Sequence, residues 1–407
     1  MPYRYISADN HLQIEYAPKD TFTKRLPAHF KEQTPRVEET ANGTRWVVEG
    51  RPVTPAADGN DREFLNKRFT NLGVEIPGDK LAAHPDVLLE HMDLSDTYAG
   101  VFYGGATRKW AFKDAELEKA VYRAYSDYVM EINSVARDRL IVLPWLNARH
   151  PETCAPEIFR LAKLGAKAVE WSVNDAGVPV YSTEWEPLWA AAEETGIVIC
   201  SHIGDKAGTP YPPNEYGQSL AHFSQVPFNP MGKFIAQFVF SGMFERYPRL
   251  HVSIAECRIG WLPFLFQWMD RCYTDRLPDS IVPLEELPTH YVKRNMSFTF
   301  EEDYVGTTML AFPEMVIADT AIWGGDYPHP QGTWPDITPS LDNMFKHLDQ
   351  ETKHEVLFGR AQRIFNIDGP AEDAIDLTEA AQAKLRKAGS RRDRFGGRVS
   401  AGVGEVV

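Results

Sequence analysis

The amino-acid sequence predicts a (β/α)8 TIM barrel, an α/β fold, with an N-terminal insertion that serves as a cap and with a C-terminal extension. Strand-like and helix-like runs alternate along most of the 407 residues, which is typical of a parallel sheet covered by helices. Several strand-like runs also end at a residue that can bind a metal ion. Because the carboxyl ends of barrel strands meet at one mouth, these residues predict a metal site there.

The eight predicted strands are short runs of mainly apolar and β-branched residues. They are, in order, Tyr3–Ala8, Ala99–Tyr103, Leu140–Leu143, Ala166–Trp171, Ile197–Ser201, His251–Ala255, Met296–Phe300 and Met315–Ile322. The predicted helices between them repeat apolar residues with a helical period. They are Leu88–Asp93, Ala115–Arg137, Pro151–Leu164, Trp185–Thr195, Phe234–Phe244, Leu262–Thr274, Tyr304–Phe312, Leu341–Leu348, Glu351–Phe358 and Ala361–Phe365.

A long segment, about residues 18–85, interrupts this alternation after the first strand. It is rich in Pro, Gly and Asn, and it contains one predicted hairpin, Arg45–Val48, which turns through Gly50. A segment of this length inside a compact domain is usually a functional cap or insertion. We therefore expect it to supply part of the pocket wall.

The C-terminal residues differ in composition from the rest of the chain. Residues 1–375 are predicted to form the barrel domain, and residues 376–407 a basic arm with seven Lys or Arg residues between Lys384 and Arg398. By itself such a segment is typical of a solvated tail. We prefer an arm held by an acidic partner subunit, and hence a homo- or hetero-oligomer with the arm at the interface.

Composition excludes several function classes. The formal net charge of −14 argues against general binding to nucleic acid or to an anionic membrane. No apolar run approaches the ~20 residues needed to span a bilayer, and the N-terminus has no signal-peptide pattern. The four cysteines form no CxxC pair, as expected of thiols buried in a reducing compartment. We expect a cytoplasmic protein with a small-molecule substrate.

The candidate metal ligands begin with Asp9 and His11. Alternate residues of a strand point to the same side, so these two form half of a chelate. His202, Glu256 and Asp326 each follow a later strand-like run. Catalytic metal ions usually keep about three protein ligands and an open position, so the set predicts an enzyme that binds a divalent metal.

These segments resemble the amidohydrolase-2 branch of the amidohydrolase superfamily, which includes aminocarboxymuconate-semialdehyde decarboxylase. The resemblance covers most of residues 3–366. Its motifs are Ser7–His11, Cys200–His202, Gly242–Pro248, Ala255–Pro263 and Trp323–His329.

The resemblance implies roles for individual residues. Asp9 and His11 match the metal-binding pair of the first strand, and His202 matches the histidine ligand of the fifth. Asp326 matches the eighth-strand aspartate that contacts both the metal and the attacking water. The sixth strand often carries a histidine, which works in proton transfer in the decarboxylase relatives, but this chain has Glu256 there.

Three further residues are weaker candidates. Glu170 ends the fourth strand, where binuclear relatives carry a bridging carboxylate, although an ion pair is an equal alternative. His329 lies three residues after Asp326 and is predicted to bind a second metal, to contact substrate or only to cap a loop. His222, in the loop after the fifth strand, is a candidate for a substrate or metal contact. A set so rich in carboxylates favours iron or manganese over zinc and has room for one or two ions.

Four functions remain open at this point. The first is a hydrolase of a small amide, imide or related carbonyl compound, in which Asp326 moves the proton of a metal-activated water. The second is a non-oxidative decarboxylase with Glu256 or His222 as proton donor. The third is a dinuclear iron or manganese subunit that activates oxygen, of the 2-aminoisobutyric acid hydroxylase type. The fourth is a non-catalytic partner subunit.

Overall fold

Eight parallel strands surround the centre of the computed structural model, which describes residues 5–12, 14–56, 83–104, 110–204, 217–276, 284–329, 332, 334 and 337–369. The strands are β1 (Tyr5–His11), β2 (Arg36–Thr40), β3 (Gly43–Val48), β4 (Arg51–Pro55), β5 (Thr97–Tyr103), β6 (Leu140–Val142), β7 (Trp145–Leu146), β8 (Ala168–Trp171), β9 (Val198–His202), β10 (Val252–Ala255), β11 (Met296–Phe300) and β12 (Ala321–Trp323). All except β2, β3 and β4 belong to the barrel, in which β6 and β7 together make one of the eight strands.

Helices follow the barrel strands and cover the outside of the ring. They are α1 (Pro85–Asp93), α2 (Ala115–Asn133), α3 (Pro151–Leu164), α4 (Glu186–Thr195), α5 (Gln218–Phe223), α6 (Met231–Phe240), α7 (Met243–Arg246), α8 (Leu262–Arg276), α9 (Pro288–Asn295), α10 (Tyr304–Met309), α11 (Ile337–Met344), α12 (Gln350–His354) and α13 (Arg360–Ile364). A π-helical turn, Glu355–Gly359, joins the last two. None of the helices in the described ranges is long and apolar enough to cross a membrane.

Backbone hydrogen bonds close the barrel. β1 pairs with β5 and β5 with β6, and β7 to β12 pair in chain order, all in parallel. β6 and β7 are two halves of the third barrel strand, because Leu143 N–H donates to Phe102 O at 2.9 Å and Glu170 N–H donates to Pro144 O at 2.8 Å. Between the end of β12 and β1, His11 N–H donates to the carbonyl of Tyr327 at 2.6 Å. The predicted TIM barrel is confirmed.

Two apolar cores flank the strands. The larger lies between the barrel and its helices, and the smaller fills the barrel interior with side chains such as Ile6, Val101 and Val198. Phe358 belongs to the smaller core and packs at 6.4 Å from Tyr98 near the start of β5. The interior is therefore filled with apolar side chains at its amino-terminal end.

The insertion after β1 contains a small antiparallel sheet, β2-β3-β4. The β3–β4 hairpin turns at Gly50, as the sequence predicts, with φ 72°. Trp46 of β3 is fully buried and packs against Phe22 and Trp110. Residues 57–82 of the insertion and the basic arm, 376–407, lie outside the described residues, so the partner contact of the arm stays a prediction.

The predicted eighth strand, Met315–Ile322, is wrong over most of its length. Pro313–Met315 and Ile317–Asp319 form 3-10 turns, and β12 begins only at Ala321. Val316, between the turns, has φ 68°, a left-handed conformation that a strand cannot contain. The run is apolar because Ile317 is buried beneath the barrel helices, so burial and not strand structure explains the pattern.

Helix α9 was not predicted. It begins at Pro288 and turns only two large apolar residues, Tyr291 and Val292, into the core, so its apolar repeat is too short to detect. The predicted helix Phe234–Phe244 instead starts at Met231 and is interrupted at Gly242, whose φ of 67° separates α6 from α7.

Candidate active site

Five predicted site residues meet at the carboxyl mouth of the barrel. Asp9 and His11 lie on β1, His202 ends β9, Glu256 follows β10, and Asp326 follows β12. His11 Nε2 lies 3.0 Å from Asp326 Oδ1, and His202 Nε2 lies 3.1 Å from Glu256 Oε2. Asp9 Oδ1 lies 3.8 Å from the Nε2 atom of each histidine. Residues far apart in sequence therefore converge around one point.

A threonine that the sequence analysis missed connects two of these acids. Thr299 Oγ1 donates to Asp9 Oδ2 at 2.9 Å and accepts the backbone N–H of Glu256 at 2.7 Å. Its neighbours Phe298 and Phe300 belong to the outer core, so alternation along β11 turns Thr299 toward the interior. That alternation was the signal that could have identified it. Thr299 thus fixes the orientation of Asp9 and the exit of the chain from β10.

The backbone at the mouth is strained. Glu256, Arg258 and Asp326 have φ values of 56°, 58° and 52°, in the left-handed region that non-glycine residues rarely adopt. Each such residue costs on the order of 1–3 kcal/mol and persists only where its surroundings determine it. Asp326 is held in this way, because its N–H donates to the carbonyl of Asp9 at 2.8 Å. Such outliers concentrate at functional sites.

The buried acids have opposite pKa shifts. Burial raises the pKa of Asp9 to about 8, and the nearby carboxylates of Asp326 and Glu256 add to the rise, while His202 and Thr299 oppose it. Burial also disfavours the ionised form of Asp326, but the close contacts of its carboxylate with His11 and His329 outweigh this and hold its pKa below the usual range. Asp326 is thus an ionised acid, whereas Asp9 keeps a proton until a cation compensates its charge.

The donor atoms fit a divalent metal ion. Two overlapping groups, Asp9–His11–His202 and His11–Glu256–Asp326–His329, each place one ligand atom per residue within 4.8 Å of the others. Asp9 Oδ1 and Asp326 Oδ2 are buried and accept no hydrogen bond from any residue in the described ranges. A buried carboxylate oxygen without a donor is costly, and a cation removes that cost.

The tautomer of His202 agrees with a ligand role. Its Nδ1 lies 2.7 Å from the carbonyl oxygen of Ile203, so Nδ1 carries the proton and donates it. Nε2 then presents its lone pair toward Asp9 and Glu256. A backbone carbonyl that fixes the ring in this way is typical of histidine ligands.

His329 joins the site, whereas Glu170 and His222 do not. His329 Nδ1 lies 2.7 Å from Asp326 Oδ1, and its ring centroid lies 3.9 Å from that of His11. Glu170 points into the barrel interior, where its Oε2 accepts the N–H of Gly104 at 2.9 Å and the indole N–H of Trp145 at 3.1 Å. His222 lies on α5 beside Phe223. Neither belongs to the two donor groups of the described residues.

The comparison with protein families identifies the barrel. The model of the amidohydrolase family matches residues 94–367, which is more than half of the chain. The chain belongs to the amidohydrolase family. It is accordingly an enzyme of the amidohydrolase-2 branch of the metal-dependent amidohydrolase superfamily, as the sequence motifs imply. The comparison with curated proteins found no match to the chain.

Three solved structures have the same fold as this amidohydrolase. The amidohydrolase map2389c from Mycobacterium avium subsp. paratuberculosis is 20% identical with a TM-score of 0.67, covering 92% of this chain and 100% of its own. The 2,6-dihydroxybenzoate decarboxylase from Rhizobium is 16% identical with a TM-score of 0.58, and the alignment covers 90% of this chain and 100% of the decarboxylase. The 5-carboxyvanillate decarboxylase from Novosphingobium aromaticivorans is 19% identical with a TM-score of 0.57, and the alignment covers 69% of this chain and 79% of the decarboxylase. That structure is complexed with manganese and 4-hydroxy-3-methoxy-5-nitrobenzoic acid.

A buried histidine outside the donor groups supports the Asp326 loop. His91 on α1 has its Nδ1 2.7 Å from the hydroxyl of Tyr327, and its backbone carbonyl accepts the indole N–H of Trp334 at 2.9 Å. Burial lowers the pKa of His91 to about 3, so the ring is neutral. Tyr327 follows Asp326, and its carbonyl accepts the backbone N–H of His11. By holding Tyr327, His91 therefore helps to position both Asp326 and His11.

Substituting His91→Phe is expected to weaken the affinity for a divalent metal ion by about 10- to 100-fold, as the loss of an outer hydrogen-bond partner commonly does. Metal competition titration measures this directly. Tyr327→Phe removes only the hydroxyl group. The variant that combines His91→Phe with Tyr327→Phe is expected to bind the metal no more weakly than the single variant with the lower affinity. The exposed His347→Phe serves as control. Additive losses in the double variant would contradict a route through the Tyr327 hydroxyl.

Proposed function

We propose that this amidohydrolase is a divalent-metal-dependent hydrolase of a small amide, imide or related carbonyl compound. The observation that carries the proposal is Asp326, because hydrolysis needs an ionised base beside the attacking water. The Oδ1 atom of Asp326 is held by His11 and His329, and its Oδ2 receives no hydrogen bond from the described residues. That oxygen is therefore available to accept a proton.

Two groups of residues have separate roles in the proposed reaction, one in binding the metal ion and the other in moving the proton. When bound by Asp9, His11 and His202, a divalent cation supplies Lewis acidity, which lowers the pKa of a bound water and polarises the substrate carbonyl. Asp326 takes the proton from the attacking water and delivers it to the leaving group. Glu256 is 22% exposed and its Oε2 lies 3.1 Å from His202 Nε2, so its carboxylate lies beside the donor atoms and faces incoming substrate.

Manganese is the first metal to test. Carboxylate oxygens and imidazole nitrogens make a harder donor set than thiolates, which supports manganese or iron over zinc. The 5-carboxyvanillate decarboxylase that shares the fold was solved with manganese. The two overlapping donor groups share His11, and elemental analysis decides between one ion and two per chain.

Non-oxidative decarboxylation is the second candidate. Two structures that share the fold are decarboxylases of aromatic acids. This reaction consumes no water, and it needs an acid that gives a proton to a substrate carbon. The ionised state of Asp326 supports hydrolysis better, and Glu256 would have to be the donor.

An oxygen-isotope experiment separates the candidates. The manganese-loaded enzyme is incubated in ¹⁸O-water with a panel of acyl amides, cyclic imides, lactones and hydroxybenzoic acids, and products are analysed by mass spectrometry. We expect one ¹⁸O atom in the acid product of an amide, imide or lactone, and no consumption of dioxygen. Carbon dioxide release without ¹⁸O in the organic product would overturn hydrolysis for decarboxylation, and dioxygen consumption would favour the hydroxylase alternative.

A further inference from the structure

Arg258 lies at the mouth of the barrel but has no place in the metal chemistry. We infer that its guanidinium binds a carboxylate group of the substrate, so that the substrate is a carbonyl compound that also carries an acid. This inference rests on the proposed function for the carbonyl part of the molecule. The anion subsite itself rests on the contacts, exposure and charge of Arg258.

The anchor of Arg258 is a buried acid. Glu301 follows β11 and has the same orientation as Thr299, toward the barrel interior. It is fully buried, and its Oε2 lies 2.6 Å from Arg258 Nη1. The same nitrogen donates to the carbonyl of Glu302 at 3.0 Å. One nitrogen of the guanidinium is therefore fixed from the barrel side.

The rest of the guanidinium remains available. Arg258 Nε and Nη2 make no hydrogen bond or ion pair with a residue in the described ranges, and 29% of the side chain is exposed. An arginine presents five N–H donors in a planar fork that matches a carboxylate with two parallel hydrogen bonds. A fork with one nitrogen anchored and the remaining donors open is already oriented for an incoming anion.

The position of Arg258 gives the anion a fixed place relative to the reaction. Its charge interacts with Glu256 and Asp326 of the donor groups, and with Glu301 and Asp303, which follow β11. These acids repel a negatively charged substrate from most of the mouth. Arg258 offsets that repulsion on the side of β10 and β11, so it orients a substrate whose carbonyl faces Asp326 and whose carboxylate faces the arginine.

A pair of nearly isosteric probes tests the subsite without turnover. Benzoate and benzamide have the same size and differ in charge, and their binding to the manganese-loaded enzyme is measured by ligand-observed NMR. Arg258→Gln is expected to weaken benzoate at least about tenfold, the usual scale for a charge-assisted pair, and to leave benzamide within about twofold. Manganese content is measured in the same samples, because benzoate also contacts a bound metal.

Three variants serve as controls. Arg246 ends α7, ahead of β10, and pairs with Glu186 of α4. Arg246→Gln should not change benzoate binding. Glu301→Gln keeps Arg258 and a side-chain oxygen that can accept from its Nη1, so it is the reference for the double variant and should favour benzoate more than that variant does. Arg258→Gln combined with Glu301→Gln leaves no buried unpaired acid, so it should fold and still lack the preference.

The outcomes separate the subsite from the proposed function. Unchanged benzoate affinity in folded Arg258→Gln or in the double variant would show that the arginine only neutralises Glu301. Equal losses of benzoate and benzamide would show general distortion of the mouth. Either result overturns the anion subsite, whether or not the enzyme hydrolyses amides. Conversely, an enzyme that releases carbon dioxide would disprove hydrolysis and could still discriminate between the two probes.

Discussion

Replacing Asp326 with asparagine is expected to lower kcat by about 100- to 10,000-fold, the usual range for loss of a general base. Asparagine has the same shape, and its side-chain oxygen can still contact a metal, but it cannot take a proton from water. We therefore expect much of the manganese to stay bound while turnover is lost. Steady-state kinetics and elemental analysis of the same preparation measure the two effects separately.

The control for this variant is Asp319→Asn. Asp319 precedes β12 at the opposite end of the same strand, and its exposed carboxylate pairs with Lys293 at 3.0 Å. It should keep normal activity and metal content. Full activity in Asp326→Asn would refute the assignment of the base. Loss of metal and activity together would instead show that Asp326 acts mainly as a ligand.

Manganese affinity is expected to rise about tenfold per pH unit as the pH approaches 8 from below, because metal binding displaces a proton. Asp9 is the source of that proton, since its pKa is raised to about 8 in the metal-free protein. His11 and Asp326 contribute little, because burial keeps His11 neutral and the histidine contacts keep Asp326 ionised. The affinity should level off above about pH 8, where Asp9 is already ionised in the metal-free protein.

Calorimetry in buffers with different ionisation enthalpies measures the displaced proton. At pH 6.5 we expect release of about one proton per ion, and Asp9→Asn should bind manganese more weakly and without this release. Metal-free stability has the opposite trend. Between the ordinary pKa of 3.8 and about 8, the native state holds a proton that the unfolded chain has released, so its stability falls as pH rises. A pH-independent affinity would contradict the role of Asp9.

The ring and its principal site residues could be predicted because they depend on local sequence. Alternation along a strand puts Asp9 and His11 on one side, and the position of His202 at the end of an apolar run puts it at the carboxyl mouth. These conclusions need only strand direction and the parallel arrangement. No long-range contact has to be known to draw them.

The residues that were missed or misplaced depend on contacts between distant segments. Thr299 matters because it meets Asp9, and His91 matters because its helix packs under the Asp326 loop. Glu170 lies near the end of its strand as a ligand would, but Trp145 of β7 and the backbone of Gly104, which follows β5, bind its carboxylate inside the barrel. Position along a strand predicts the end of the barrel at which a side chain lies. It does not predict which neighbour it contacts there.

The hydrogen bonds between β1 and the segment after β12 join the first and the last strands of the barrel. His11 N–H binds the carbonyl of Tyr327, and Asp326 N–H binds that of Asp9, so donors on both sides of this seam face one point. The centre forms only when both sides of the seam are in place, because each side contributes donor atoms. A bound ion would cross-link β1 to the segment after β12, and it would therefore oppose opening of the barrel at this seam.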